Sequence, residues 1–433
     1  MHKSVWTDSV KLPEFKKLNG NVKTDVLIIG GGLCGILCAL SLKNAGISCI
    51  IAEGNRITSG NTKNTTAKIT SQHGLIYQKI AKDYSFETAQ LYLNANQIAL
   101  REIKDLCRNI DCDFEIKNAF VYSLRNRKAI ENEVNVVNRL GFPAEFSEKT
   151  ELPFGTQGAI CFPEQAQFNP LKFIAAISKN LNIYENTFVR EITPDYVVTD
   201  NGKIFAKKII VTTHFPFINK HGGYFLKLFQ HRSYVSAYSG GPEIQGMYVD
   251  ENEKGLSFRK YKNLLFIGGG GHRTGKKGGC WKEIDRFAKK YCIDSRPEYQ
   301  WAAQDCMSLD KIPYIGKYGK NTPNLYVATG FNKWGMTSSM IASIVLTDMI
   351  WGRSNDFIEL YSPQRSILKP QLFINSFETV ANLIMPIPKR CPHLGCALKW
   401  NNVEHSWDCP CHGSRFDKNG KLIDNPATDD ANI

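Results

Sequence analysis

The 433-residue chain has no apolar run long enough to cross a bilayer. Its most apolar late stretch, Ser339 to Trp351, is short and carries Thr347 and Asp348. The opening MHKSVWTDSVKLPEF lacks an unbroken apolar core and a small-residue cleavage site, so no signal peptide is expected. A cytoplasmic protein without a membrane span follows as the expectation. The formal net charge is +13, yet no basic run with interleaved aromatics is found, which argues against a nucleic-acid partner. A disulfide framework is missing too. Of thirteen cysteines, Cys34, Cys38, Cys49, Cys107, Cys112, Cys161, Cys280, Cys292 and Cys306 are scattered, as expected of reduced thiols in a cytosolic chain.

What the sequence does have begins at the N-terminal end. Asp25–Ile29 reads as a strand, Ile36–Asn44 as a helix ended by Gly46, and Ile47–Ala52 as a second strand ending at Glu53. Between strand and helix stands Gly30-Gly-Gly-Leu33-Cys34-Gly35, in which Gly30, Gly32 and Gly35 satisfy G-x-G-x-x-G. The first glycine permits the tight turn, the second lets a pyrophosphate approach the backbone, and the third lets helix and strand pack closely. The helix N-terminus favours phosphate charge. Glu53, 23 residues after Gly30, stands where an acid would bond the ribose hydroxyls.

The loop from Gly54 to Gly74 is rich in hydroxyls and amides and includes Asn55, Thr66, Ala67, Lys68 and His73. It has the chemistry to run along a cofactor from pyrophosphate to flavin ring. The second glycine cluster, Gly268–Gly271, fails the fingerprint because Arg273 or Thr274 stands where the third glycine belongs. A separate NAD(P)H domain is therefore not expected.

These features resemble the FAD-dependent amine and amino-acid oxidoreductases of the D-amino-acid oxidase superfamily, over roughly residues 20 to 352. Asp310–Gly316, Glu185–Val189 and Ile209–His214 carry the resemblance further. So does Ala328-Thr-Gly330-Phe-Asn-Lys-Trp334-Gly335-Met336-Thr337-Ser-Ser339, which opens a helix from Met340 to Ile350. The resemblance implies that Val189 lies near adenine, Thr213 near the phosphates, and the 328–339 loop at the flavin. It also implies oxidation of a small amine or amino acid by hydride transfer to the flavin, in which the protein orients the substrate and excludes water. Candidate active-site side chains are His73, Lys68, Trp334, His272 and Cys306, the last a possible covalent flavin link or simply a buried thiol. No dedicated base is required.

Between these segments, residues 84–110 and 128–140 read as amphipathic helices, and Leu171–Asn180 as a further helix. Strands near 224–238, 244–250, 255–260 and 263–267 suggest an antiparallel sheet roofing the flavin.

The remaining four cysteines, Cys391, Cys396, Cys409 and Cys411, crowd into 21 residues beside two histidines, His393 and His412. They form C-P-H-L-G-C and C-P-C-H-G-S, with 15 residues between His393 and Cys409. Two such loops could supply a Cys₂His₂ zinc site or the two thiolates and two imidazoles of a Rieske [2Fe-2S] centre. The boxes resemble those of Rieske proteins. That resemblance implies Cys391 and Cys409 on one iron, His393 and His412 on the other, a disulfide between Cys396 and Cys411, and a bond from Ser414 to a bridging sulfide. Rieske domains usually place several strands before the first box, whereas Asn375–Arg390 leaves room for one or two. Either the cluster is more exposed than usual, or the flavin domain completes the fold.

The expected architecture is α/β (α+β): a Rossmann-like FAD-binding domain (about 20–80, 180–215 and 310–352), an antiparallel-sheet substrate domain (about 81–179 and 216–309), a linker (353–370) and a small all-β Rieske-like tail (371–433). The expected cofactors are FAD and a [2Fe-2S] cluster; the expected partners are a small amine or amino acid and an acidic electron-transfer protein. Electrons would pass singly from flavin to cluster, with the two centres close together or the tail swinging on its linker. The rival expectations are reverse flow, from an outside donor through the cluster to the flavin, and a redox sensor or adaptor without turnover.

Overall fold

A computed structural model describes residues 3–193, 195–219, 221–291 and 296–433; Cys292 lies outside them. One sheet is built on parallel strands in the order Leu325–Thr329, Gly202–Val211, Val22–Ile29, Cys49–Ala52 and Ile183–Tyr184, with Tyr314–Lys317 antiparallel at its edge. The helix Leu33–Asn44 packs between this sheet and the helix Gly335–Trp351. Both helices are apolar nearly all round because both are buried nearly all round.

The second sheet roofs the first unit. Its order is Tyr299–Ser308, Leu228–Ser239, Leu264–Arg273, Ser257–Tyr261, Met247–Asp250, Glu115–Ser123, Gly158–Gln167 and Lys68–Ile69. The four expected strands pair antiparallel with one another, and a further strand, Glu115–Ser123, joins Met247–Asp250 in parallel. Those strands meet through long excursions of the chain, which local alternation cannot register. The 224–238 strand begins only at Leu228, after a helical turn at Tyr224–Lys227. Gly268–Gly271 lie inside the strand Leu264–Arg273, where a Cβ at Gly269 would meet the Leu256 side chain. They serve strand packing rather than a phosphate turn.

The tail holds a four-stranded antiparallel sheet of Lys399–Asn401, Ser406–Asp408, Arg415–Phe416 and Leu422–Asp424. Before the first Cys–His box stands a helix, Pro370–Ile384, in place of the one or two strands anticipated. Pro370 at its first turn fits a helix start, and the following residues carry no breaker. The segment 353–370 is pinned: Arg365 pairs with buried Asp310 through Nε at 2.7 Å and Nη2 at 2.8 Å, and its Nη1 donates to the Pro313 carbonyl. Among the described residues no helix is long and apolar enough to cross a membrane.

A buried ionic network joins tail to roof. Glu404 pairs with Arg232 and with Arg415 (2.9 Å) and accepts from the Tyr234 hydroxyl at 3.0 Å. Arg415 also reaches Asp408 and Asp424. Burial alone would raise the Glu404 carboxyl, but Arg232 and Arg415 outweigh it and hold it near about 2. Glu404→Gln leaves the buried Arg232 guanidinium without its carboxylate, while Arg415 keeps Asp408 and Asp424, and should cost about 3–5 kcal/mol of stability, read as a lower urea midpoint. In the wild type this contribution is complete above the ordinary glutamate range and is lost as pH falls toward about 2. The variant's acid unfolding profile should lack that component.

Candidate active site and cluster site

The glycine fingerprint folds as its spacing requires. Gly30 has φ +112°, and a Cβ there would meet the Thr212 carbonyl oxygen at 2.9 Å. A Cβ at Gly35 would lie 2.0 Å from the Gly30 oxygen, so the third glycine sets how closely helix and strand approach. The Thr212 hydroxyl donates to the Ile29 and Gly30 carbonyls and fixes the turn from the neighbouring strand. Glu53 accepts from the backbone N–H of Gly31 (2.7 Å) and of Asn55 (2.8 Å). Its carboxyl is pushed up by burial, which those two donors partly offset.

These groups open on a cavity of about 990 Å³, at the upper end of small-molecule sites. Of the residues anticipated for the cofactor, Gly30, Gly32, Leu33, Cys34, Glu53, Gly54, Asn55, Thr66, His73, Val189, Thr213, Gly330, Trp334, Gly335 and Met336 line it. Gly35, Ala67 and Thr337 do not reach the wall. Gly35 acts through packing, the Ala67 carbonyl accepts from buried Arg259 at 3.0 Å, and Thr337 Oγ1 lies 3.2 Å from His73 Nε2. Fifteen cavity residues gathered from stretches 30–73, 189, 213 and 330–336 fit a dinucleotide cofactor, and at Gly32 a Cβ would already meet Thr62 Oγ1 at 3.3 Å, so only glycine keeps the backbone bare there.

His73 stacks on Trp334 with ring centroids 4.8 Å apart. Its Nδ1 faces the Tyr92 hydroxyl at 2.7 Å and its Nε2 the Thr70 carbonyl at 2.9 Å, so both nitrogens are engaged. Burial lowers its pKa to about 3. A neutral ring with both nitrogens bonded orients Trp334 and has no free site for a substrate proton. Lys68 differs: burial, with help from Arg259, lowers it to about 7, and it faces the cavity. Cys306 also lines the cavity, but burial pushes its thiol up to about 12, an environment adverse to a reactive thiolate. His272 is corrected: it is not on this cavity's wall, and its Nε2 instead meets the Tyr234 hydroxyl at 2.9 Å within the roof-to-tail network.

Sequence reasoning missed Gln230, Arg232, Gln304, Asp305 and Lys333, all on the cavity wall. Gln230, Arg232, Gln304 and Asp305 come from strands without a local motif, gathered only by sheet pairing, whereas Lys333 lies within the 328–339 segment beside Trp334.

The two Cys–His boxes fold alike. Gly395 N–H donates to the Cys391 carbonyl and Gly413 N–H to the Cys409 carbonyl, both at 2.9 Å. Cys396 and Cys411 are joined as a disulfide. The Cys391 thiol hydrogen-bonds Cys409, and this bond, with the backbone N–H groups of Cys411, His412 and Gly413, favours the Cys409 thiolate. The Nδ1 atoms of His393 and His412 lie 3.3 Å apart, close to the roughly 3.4 Å expected of two nitrogens on one tetrahedral ion. Burial keeps both imidazoles neutral, at about 4 and about 3. The four donors form a sulfur pair and a nitrogen pair; no three of them converge within 4.8 Å. A single zinc would draw all four together, whereas a two-iron cluster takes one pair on each iron. The Ser414 hydroxyl faces the Cys391 sulfur and accepts from the Ala427 N–H.

The second box is clasped by the roof. Gln230 Nε2 donates to the His412 carbonyl (3.0 Å) and the Asn425 carbonyl (2.9 Å). Gln304 Nε2 donates to the Gly413 carbonyl at 2.9 Å, and Arg273 donates to the carbonyls of Pro410 and Cys411. The imidazole edge faces the flavin domain as well: His393 Nε2 lies 2.9 Å from Asn219 Oδ1, and Phe215 meets both rings edge-on. Gln230 and Gln304 also line the large cavity. One layer of side chains thus separates the cavity from the cluster loop, and the flavin domain completes what the short tail lacks.

This geometry defines a flavin-type cavity joined to a two-iron cluster site. Residues 25–349 match the family of FAD dependent oxidoreductases (DAO), and residues 371–433 match the Rieske [2Fe-2S] domain. The chain belongs to that FAD dependent oxidoreductase family and carries a C-terminal Rieske domain, with FAD and a [2Fe-2S] cluster as its cofactors. The candidate Rieske 2Fe-2S iron-sulfur protein YhfW of Bacillus subtilis (strain 168) is 32% identical over 98% of this chain and 95% of its own length. Gamma-glutamylputrescine oxidoreductase of Escherichia coli (strain K12) is 23% identical over 80% of this chain and 88% of its own. Glycine oxidase from Geobacillus kaustophilus shares the fold with a TM-score of 0.67 at 18% identity, covering 80% of this chain and 99% of that one.

Gly35→Val should lower bound flavin at least about tenfold while leaving the cluster's absorption in place, because only the fingerprint turn is spoiled. Cys409→Ser should do the reverse, with flavin retained and iron and acid-labile sulfide lost. Visible spectra and iron analysis of the two purified variants read both effects.

Proposed function

We propose that this enzyme oxidises a small amine or amino acid at a carbon–nitrogen bond and delivers the electrons singly to the Rieske cluster. The observation that carries the reading is the shared wall: Gln230 and Gln304 face the cavity and hold the cluster loop at once. Bound FAD would accept the two electrons of substrate oxidation, and the cluster carries one at a time. The protein's share is orientation and exclusion of water. His73 keeps Trp334 in place on the wall, and Lys68, near neutrality, can accept or hold a proton there. The names of related proteins, a glycine oxidase and a gamma-glutamylputrescine oxidoreductase among them, support a CH–NH or CH–NH₂ substrate. The pinned 353–370 segment and the clasped box favour fixed neighbouring centres over a swinging tail.

Anaerobic addition of amines and amino acids should bleach the flavin bands first and the cluster bands second. If no such compound bleaches the flavin but a reduced ferredoxin does, electron flow runs the other way and the proposal fails. With an active substrate, the rate of flavin bleaching should show an inflection near pH 7, rising as Lys68 loses its proton, and Lys68→Met should flatten it.

A further inference from the structure

The tail helix Pro370–Ile384 is turned inside out. Its buried residues are Asn375 and Asn382, each only 2% exposed. Asn375 accepts from Arg273 and donates to the Leu226 carbonyl, and the Asn382 carbonyl accepts from Ala397 N–H beside the first box. The apolar side chains point outward instead. Phe373 is 69%, Phe377 73% and Ile384 77% exposed, with Ile374, Val380 and Leu383 completing the stripe. Leu368 before the helix and Leu394 on the first box extend the same exposed apolar character. A water-facing helix normally buries such residues, and apolar patches of this kind mark a covered surface.

Charge identifies the cover. Residues 366–403 hold Lys369, Lys389, Arg390 and Lys399 against a single acid, Glu378. Glu378 is itself neutralised by Lys276 at 2.7 Å, and exposed Lys277 follows. An apolar stripe on a segment with this excess of cations is the pattern of a helix lying in the plane of an anionic membrane surface. Two copies meeting through this face would bring two basic segments together. An anionic bilayer favours both the charge and the stripe.

We propose that the Pro370–Ile384 helix is a peripheral docking surface for an anionic lipid bilayer. Docking there would bring the cluster site to the membrane, because the helix backs both boxes. Gly395 lies against Leu383, and Cys411 Sγ is 4.0 Å from the Glu378 carbonyl. The inference does not depend on the substrate or on the direction of electron flow.

The test is co-sedimentation of the full-length holoenzyme with vesicles of phosphatidylcholine alone and of phosphatidylcholine mixed with phosphatidylglycerol. Binding to the mixed vesicles is expected, weaker on phosphatidylcholine and weakened by salt. Phe373→Asp with Phe377→Asp should lower partitioning at least about tenfold while flavin and cluster absorption persist. Lys277→Glu with Lys389→Glu should remove the preference for phosphatidylglycerol and leave the apolar stripe intact. The proposal is overturned if the wild type stays in the supernatant with both vesicles. It is equally overturned if the wild type is a dimer in light scattering that the double Phe variant splits, since a second copy would then cover the stripe.

Discussion

The clasp of Gln230, Gln304 and Arg273 on the Cys409–Ser414 box is the contact on which the rest of the arrangement depends. A box of this kind exposes several backbone carbonyls as it wraps around its cluster. Left buried without donors, each would cost about 1–3 kcal/mol. Side chains from three roof strands provide those donors, so the loop is satisfied only when docked. Docking in turn sets the thickness of the wall between the cavity and the cluster.

The same economy explains why the tail works at its small size. Its own apolar cluster centres on Cys391, Cys396, Leu398, Cys409, Cys411 and Phe416, too few to hold a domain alone. It is held by polar contacts to the flavin unit: the clasp, the Glu404 network and the Arg365–Asp310 pair. Buried ion pairs add little net stability, but their geometry is demanding and penalises any other placement of the tail. The helix Pro370–Ile384 follows the same logic, since its inward face is polar because it meets polar backbone. Its apolar residues then have only the outside.

Much of the site could be read along the chain. The fingerprint, Glu53, the 54–74 loop, the 328–339 segment and both boxes are local motifs, in which spacing dictates geometry within one or two turns of backbone. The misreadings share a cause. His272 sits beside a glycine cluster and looks mechanistic, but sheet pairing turns it toward Tyr234. The stretch before the first box, where the family pattern left room for one or two strands, is instead the helix Pro370–Ile384, started by Pro370. His73 stands where expected, yet its chemistry is decided by Tyr92 and Thr70, partners that its own spacing does not announce.

By itself, then, the sequence determined the two cofactor classes, because phosphate turns and Cys–His boxes are built by neighbours in the chain. Tertiary structure alone decided how the two sites meet. Gln230 and Gln304 lie on strands of one sheet, far along the chain from the box they hold. No local pattern encodes that meeting, since it arises from strand order and from carbonyl groups that need donors once the tail is buried.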